Sequence, residues 1–241
     1  MCGRYGLTVD QEALSITYGV RAILADHQPR YNIAPSQEVP VMLSDGGGQR
    51  IEGFRWGLVP ANAPSPKIGY RTINARSESV AEKPAFRGAW ENRRRCVILA
   101  DGFYEWEKPS AGKGSRVPHW IRMAGARPFG FAGLWEYWAD GARGLFTCAV
   151  LTTQPNALVA PIHDRMPVIL GNQSEWTCWT DPRTPSDQLS HILRPYSAEK
   201  MCSQVVSTYV NRADHEGPEC LAPPVSTPQT TGKGQQMVLE L

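Results

Sequence analysis

The residues best equipped for unusual chemistry come first in the chain, where MCGRYG places Cys2 directly behind the start methionine. A small second residue invites removal of Met1, which leaves Cys2 with a free α-amine beside its thiol. The amine titrates near ~7.7–8.0 and the thiol near ~8.5, so both have a usable neutral or ionised fraction at physiological pH. Such a 1,2-aminothiol condenses with aldehydes: the amine forms an imine, and the sulfur then closes a five-membered thiazolidine. The first residues of most chains are frayed and carry nothing, so the reading turns on what else the sequence supplies.

Three further stretches are polar where their surroundings are not. In RTINARSES, Asn74 and Arg76 lie between a strand-like segment and a helix start, and Asn74 alone fits a turn residue satisfying backbone groups. In ADGFYEWEK, Glu105 alternates with Phe103, Tyr104 and Trp106. It fits the solvent face of an amphipathic strand, or a carboxyl among aromatics whose pKa is raised for acid–base work. In APIHDRMPVIL, His163, Asp164 and Arg165 stand between two prolines. His163 fits a structural histidine or a proton shuttle with an unperturbed pKa of about 6.5, while Asp164 would orient a ring or pair with Arg165.

The rest of the chain sets the frame for these residues. With 241 residues, 41% hydrophobic and 20% charged, it can bury a substantial core and is not a disordered chain. A formal net charge of +2 neither demands nor excludes a polyanionic partner. Arginines outnumber lysines by 19 to 6, which suits bidentate phosphate contacts, although a GC-rich genome gives the same bias. Six scattered cysteines, with no CxxC pair and no histidine at zinc-finger spacing, predict neither a disulfide framework nor a metal site. Five of them read as buried, reduced thiols. No apolar run approaches the ~18 residues of a membrane span and no leader-like stretch opens the chain. The expectation is a cytoplasmic protein without a membrane partner.

Short β-like runs dominate. VPVML and IEGFRWGLV flank the glycine-rich SDGGGQR as a hairpin, and RCVILADGFYEW, PHWIRM, FGFAGLWEYW, LFTCAVLTT and VVSTYV read as further strands. Helical segments are few: DQEALSITYG, the stretch from SESVAEKP through FRGAWENR, SEWTCW, and SDQLSHILR capped by Ser186 or Asp187. Strands interleaved with short helices predict an α+β fold with a mainly antiparallel, barrel-like β core. One domain over 2–223 is expected, followed by a turn-rich, polar, flexible tail over 224–241.

Taken in order and spacing, MCGRYG, YNIAPSQ, WGLVP, INARSES, GFYEW and IHDRMPVIL resemble the SRAP family, the SOS-response-associated peptidases or abasic-site processing proteins. The resemblance runs from Cys2 to about Pro223 and includes VSTYVN. It implies recognition of abasic sites in single-stranded DNA and covalent capture of the ring-opened deoxyribose aldehyde, with no cofactor or metal. By that resemblance the nucleophile is Cys2, Asn74 holds its α-amine, Glu105 moves protons, and His163 assists ring opening and crosslink reversal. Arg4, Arg76 and Arg165 match positions that contact DNA phosphates. Asn32 and Pro35 match a loop near the nucleophile, and Trp106 packs beside the DNA path.

The pattern departs from the family at Asn62, where relatives usually carry a tryptophan after WGLVP. Losing such a ring costs ~1–3 kcal/mol of stacking per base. Three functions stay open at this point: covalent capture with an associated lyase step, an N-terminal-cysteine peptidase that removes its own Met1, and a noncatalytic single-strand binder. A monomer, nucleoid-associated when bound to DNA, is the expected state.

Overall fold

The structure is a computed structural model that describes residues 2–19, 27–44, 48–109, 114–141 and 143–224. In chain order its regular elements are β1 (Tyr5–Leu7), α1 (Gln11–Tyr18), β2 (Arg30–Ile33), β3 (Glu38–Ser44), β4 (Gln49–Trp56), β5 (Asn74–Arg76), α2 (Pro84–Glu91) and β6 (Arg95–Ala100). There follow β7 (Gly102–Glu107), β8 (Val117–Met123), β9 (Phe129–Asp140), β10 (Arg143–Thr153), β11 (Met166–Pro167), β12 (Ile169–Leu170), α3 (Gln173–Thr180) and β13 (Met201–Val205). The fold is α+β with a mainly antiparallel core, as the sequence predicts.

Five strands close on themselves in the order β10-β4-β3-β6-β9, the ring being completed by the long β9–β10 ladder. Closure leaves these strands without an exposed edge. The exceptions to antiparallel pairing both lie on β10, which runs parallel to β4 and to β5. A parallel pair needs a crossover rather than a hairpin; the long one from β4 to β10 begins with the chain from residue 57 to residue 73, which leads to β5, the next partner along β10. That crossover starts at Gly57, whose φ of +127° favours glycine and whose α-carbon lies against the backbone of Gly69.

A second sheet, β13-β8-β7-β1-β2, packs on the barrel. The Tyr5 ring of β1 makes edge contacts with Trp56 at 5.3 Å and Phe131 at 5.5 Å, joining the two layers in one core. On the outer face of this sheet a smaller cluster gathers Tyr104, Trp120, Val206, Val210 and Cys220. Gly102 is needed here because a Cβ would collide with the Trp120 ring.

Several elements differ from the sequence reading. RCVILADGFYEW is two strands, β6 and β7, in different sheets; at the corner Asp101 Oδ2 accepts the Thr8 and Val9 amides and the Thr8 hydroxyl. The helix expected across SESVAEKP and FRGAWENR breaks into a 3-10 turn at Ser77–Ser79 and α2, which starts at Pro84. Proline fits a first helical turn and nowhere deeper. SDQLSHILR forms only a 3-10 turn over Ser186–Leu189, and neither Ser186 nor Asp187 caps it, because the N-cap position is Pro185. VVSTYV ends as a strand at Val205 and turns into a 3-10 helix over Thr208–Asn211, with Ser207 Oγ accepting the Tyr209 amide. All six thiols are free, but Cys178 and Cys202 are half-buried rather than buried. The middle of SDGGGQR and the tail beyond residue 224 lie outside the described residues. Among the described residues no helix is long and apolar enough to cross a membrane.

Candidate active site

Cys2 lies fully buried just ahead of β1. Its neighbour across the barrel wall is Asn74, the first residue of β5, which the parallel pairing sets opposite Val150 of β10. The Asn74 carboxamide donates Nδ2–H to the Cys2 carbonyl at 2.7 Å, while its Oδ1 is buried with no hydrogen-bond partner. An uncompensated buried acceptor is costly.

Glu105 comes from β7, paired across the ladder with His119. It is 2% exposed, and burial pushes its carboxyl up to about 7, because a charged carboxylate is poorly solvated there. At neutral pH it is therefore poised between acid and base. Burial, and after it the charge of Glu105, push the Cys2 thiol far above its ordinary range, which favours the protonated form.

His163 arrives from the other side, on a turn in which Asn156 Oδ1 accepts the Leu158 and Val159 amides. Its Nε2 stands 3.8 Å from Glu105 Oε2, and its Nδ1 accepts the Arg165 N–H at 3.0 Å. Nδ1 also faces the Arg165 carbonyl at 3.2 Å, while Nε2 faces the Glu105 carboxyl. Burial lowers the pKa of the ring, which favours the neutral form. Asp164 Oδ1 lies 3.0 Å from Nδ1, so Asp164 stands by the imidazole and not by Arg165. An open pocket of about 240 Å³ is lined by His163, Asp164, Lys108 and Ile162.

The structure thus brings Cys2, Asn74, Glu105 and His163 into one site. The arginines behave differently. Arg165 forms a two-pronged pair with Glu78, both contacts at 2.8 Å, and donates to the Thr152 carbonyl at 2.7 Å. Arg4 donates Nη1 to Asn32 Oδ1 at 2.7 Å and to the Val210 carbonyl at 3.0 Å, and its guanidinium lies 5.8 Å from the centre of the Trp106 ring. Arg76 is exposed. Asn32 is 1% exposed and its amide is taken by the Arg212 and His215 carbonyls, so it acts on Arg4 from beneath. Pro35 sits in the turn whose Ser36 amide bonds the Trp56 carbonyl, at the end of β4. Asn62 lines a groove of about 320 Å³ against α2, with Arg87, Arg94 and Glu136.

Sequence reasoning missed Glu78 and Thr152, which hold Arg165. Glu78 was inside the INARSES stretch, but its partner lies 87 residues away and no local spacing reports that. Among the described residues no cluster of side chains could hold a metal ion.

A buried cysteine near the start of the chain, held by an asparagine, with a buried carboxyl and an imidazole beside that carboxyl, defines a thiol site at the seam between a closed barrel and a second sheet. The chain belongs to the SOS response associated peptidase (SRAP) family, whose model matches residues 1–213. It is 39% identical over 225 residues to the abasic site processing protein YoqW of Bacillus subtilis (strain 168), covering 92% of this chain and 99% of that one. It is 32% identical over 227 residues to the abasic site processing protein HMCES of Xenopus tropicalis, covering 81% of this chain and 66% of that one. The fold resembles that of a Bacteroides thetaiotaomicron protein, with a TM-score of 0.82 at 24% identity, covering 93% of this chain and all of the other. A phage-related protein of Bordetella bronchiseptica gives 0.66 at 28% identity, covering 85% and 94% of the two chains.

Proposed function

We propose that this protein captures abasic sites in single-stranded DNA by condensing the aminothiol of Cys2, exposed when Met1 is removed, with the ring-opened sugar aldehyde. The observation that carries the reading is the Asn74 carboxamide, which grips the Cys2 carbonyl with one end and leaves the other as an unfilled buried acceptor. An α-amine donating to that oxygen keeps a lone pair for attack on C1′. The relatives named abasic site processing proteins support the substrate.

The chemistry balances without a cofactor. Amine nitrogen adds to the C1′ aldehyde and the carbinolamine loses one water, giving an imine. The Cys2 sulfur then adds to the imine carbon, its proton passing to nitrogen, and the thiazolidine closes. Glu105, poised near neutrality, gives a proton to the departing hydroxyl and takes one from the thiol. His163 serves ring opening of the sugar and, in reverse, release of the crosslink. If the strand instead leaves from the imine by β-elimination, the same residues perform a lyase step.

Arg4 and Arg76 meet the DNA phosphates, Trp106 packs beside the strand, and Asn32 and Pro35 hold Arg4 and the end of β4 in place. Arg165 joins them by exchanging Glu78 for a phosphate.

Intact mass spectrometry tests the proposal on the protein alone and after incubation with an abasic oligonucleotide. The expected result is a chain lacking Met1 and an adduct equal to protein plus DNA less one water. Cys2→Ala should form no stable adduct. A protein retaining Met1 that crosslinks fully would overturn the assignment.

A further inference from the structure

The crossover between β4 and β5 carries a feature that capture at Cys2 does not use. Its 3-10 turn, Pro66–Arg71, holds Tyr70 63% exposed. One side of the ring is occupied by the Arg55 guanidinium of β4, 5.7 Å from the ring centre. The turn beneath is fixed: Gly69 packs on the Gly57 backbone, Ser65 Oγ accepts the Lys67 amide, and Thr72 Oγ1 donates to the Leu58 carbonyl at 2.5 Å. An aromatic ring held out into water on a rigid base has lost its ordering entropy on folding, and so binds a flat partner at less cost.

The charge carried by this stretch of chain has one sign. From residue 60 to residue 76 the chain contains Lys67, Arg71 and Arg76 and no acidic side chain. The ion pairs among the described residues involve none of these three, nor Arg55. Exposed aromatic rings interleaved with unpaired cations form the recognition chemistry of single-stranded nucleic acid, bases on the ring and phosphates on the cations. The platform is also close to the site. Tyr70 and Asn74 are only four positions apart, and at about 3.3–3.6 Å per position they lie at most ~14 Å from each other along the chain.

We infer that Tyr70, backed by Arg55 and flanked by Lys67 and Arg71, is a stacking platform for a nucleobase of the captured strand a few nucleotides from the lesion. The inference deepens the abasic-site reading and rests on it.

The test uses the full chain and a labelled single-stranded oligonucleotide carrying tetrahydrofuran, an abasic analogue that cannot open to an aldehyde. Tyr70→Leu should weaken binding about five- to hundredfold, the range of one base–aromatic stack, and Tyr70→Phe should restore it to within about twofold. A 2-aminopurine probe, moved base by base away from the analogue, should be quenched at one position by the wild type and Tyr70→Phe, and should stay bright with Tyr70→Leu. The exposure of Tyr70 keeps the fold out of the comparison, which a matched melting temperature confirms. Wild-type affinity for Tyr70→Leu, or a probe bright at every position, overturns the platform. A wild-type protein that shows this quenching yet forms no adduct with natural abasic DNA overturns capture and leaves the platform standing.

Discussion

The carboxamide of Asn74 and the backbone of Cys2 are joined by a 2.7 Å hydrogen bond between residues 72 positions apart. It ties the start of the chain to the short strand beside β10, so the barrel positions the backbone of Cys2. Asn74→Asp removes the donor and sets a negative charge against the Cys2 carbonyl. Adduct formation should slow by about 10²-fold, the cost of misplacing a reacting group, while Asn74→Ala should be slowed comparably. Single-turnover rates at saturating abasic DNA measure both, and wild-type rates would remove Asn74 from the site.

Glu105 gives a prediction with two readouts. Its folded pKa of about 7 lies above the ordinary carboxyl value, so the folded protein keeps a proton that the unfolded chain has released. The associated stability is full below pH ~4.3 and is lost as pH rises through 7. Glu105→Gln, which stays neutral, should match the wild type at pH 4 and exceed it at pH 8 by on the order of 2–3 kcal/mol. Its capture rate should fall ~10²–10⁴-fold and lose the inflection near pH 7. Thermal melts and a pH–rate profile report these separately.

His163 Nε2 and Glu105 Oε2 stand 3.8 Å apart, close enough for both to reach one oxygen of a sugar placed beside them. Reversal must protonate a leaving sulfur or nitrogen, a task that suits an imidazole. His163→Ala should form adducts more slowly and release them more slowly when preformed adducts are chased with excess abasic competitor. Release at the wild-type rate would leave His163 a structural residue.

Glu78 holds Arg165 by two hydrogen bonds, and on the proposed reading a DNA phosphate takes its place. Glu78→Ala should free the guanidinium, tighten binding to a tetrahydrofuran oligonucleotide at low salt, and steepen the log–log salt dependence by about 0.7, one more phosphate on a single strand. An unchanged slope would mean that Arg165 stays inside the fold when DNA binds.

Much of this protein was legible in order along the chain. Alternating apolar runs gave the strands, Asp10 and Gly19 gave the ends of α1, and six ordered motifs pointed to Cys2, Asn74, Glu105 and His163. Local periodicity and turn chemistry suffice for such readings because they depend on neighbours within a few residues. The same logic failed where distant contacts overrode it. RCVILADGFYEW alternates like one strand, yet Asp101 turns it between two sheets by bonding Thr8 and Val9.

What the sequence determined by itself was the inventory of reacting groups and the β-rich class of the fold. Only the tertiary structure decided their states and partners. Burial, a property of the whole packed core, raises Glu105 to about 7 and favours the protonated form of the Cys2 thiol. Arg165 goes to Glu78 and not to its neighbour Asp164, because the turn of the chain sets Asp164 on His163. Charge and solvation act through space over a few ångströms, and residues 72 or 87 positions apart reach that range only when the barrel has closed.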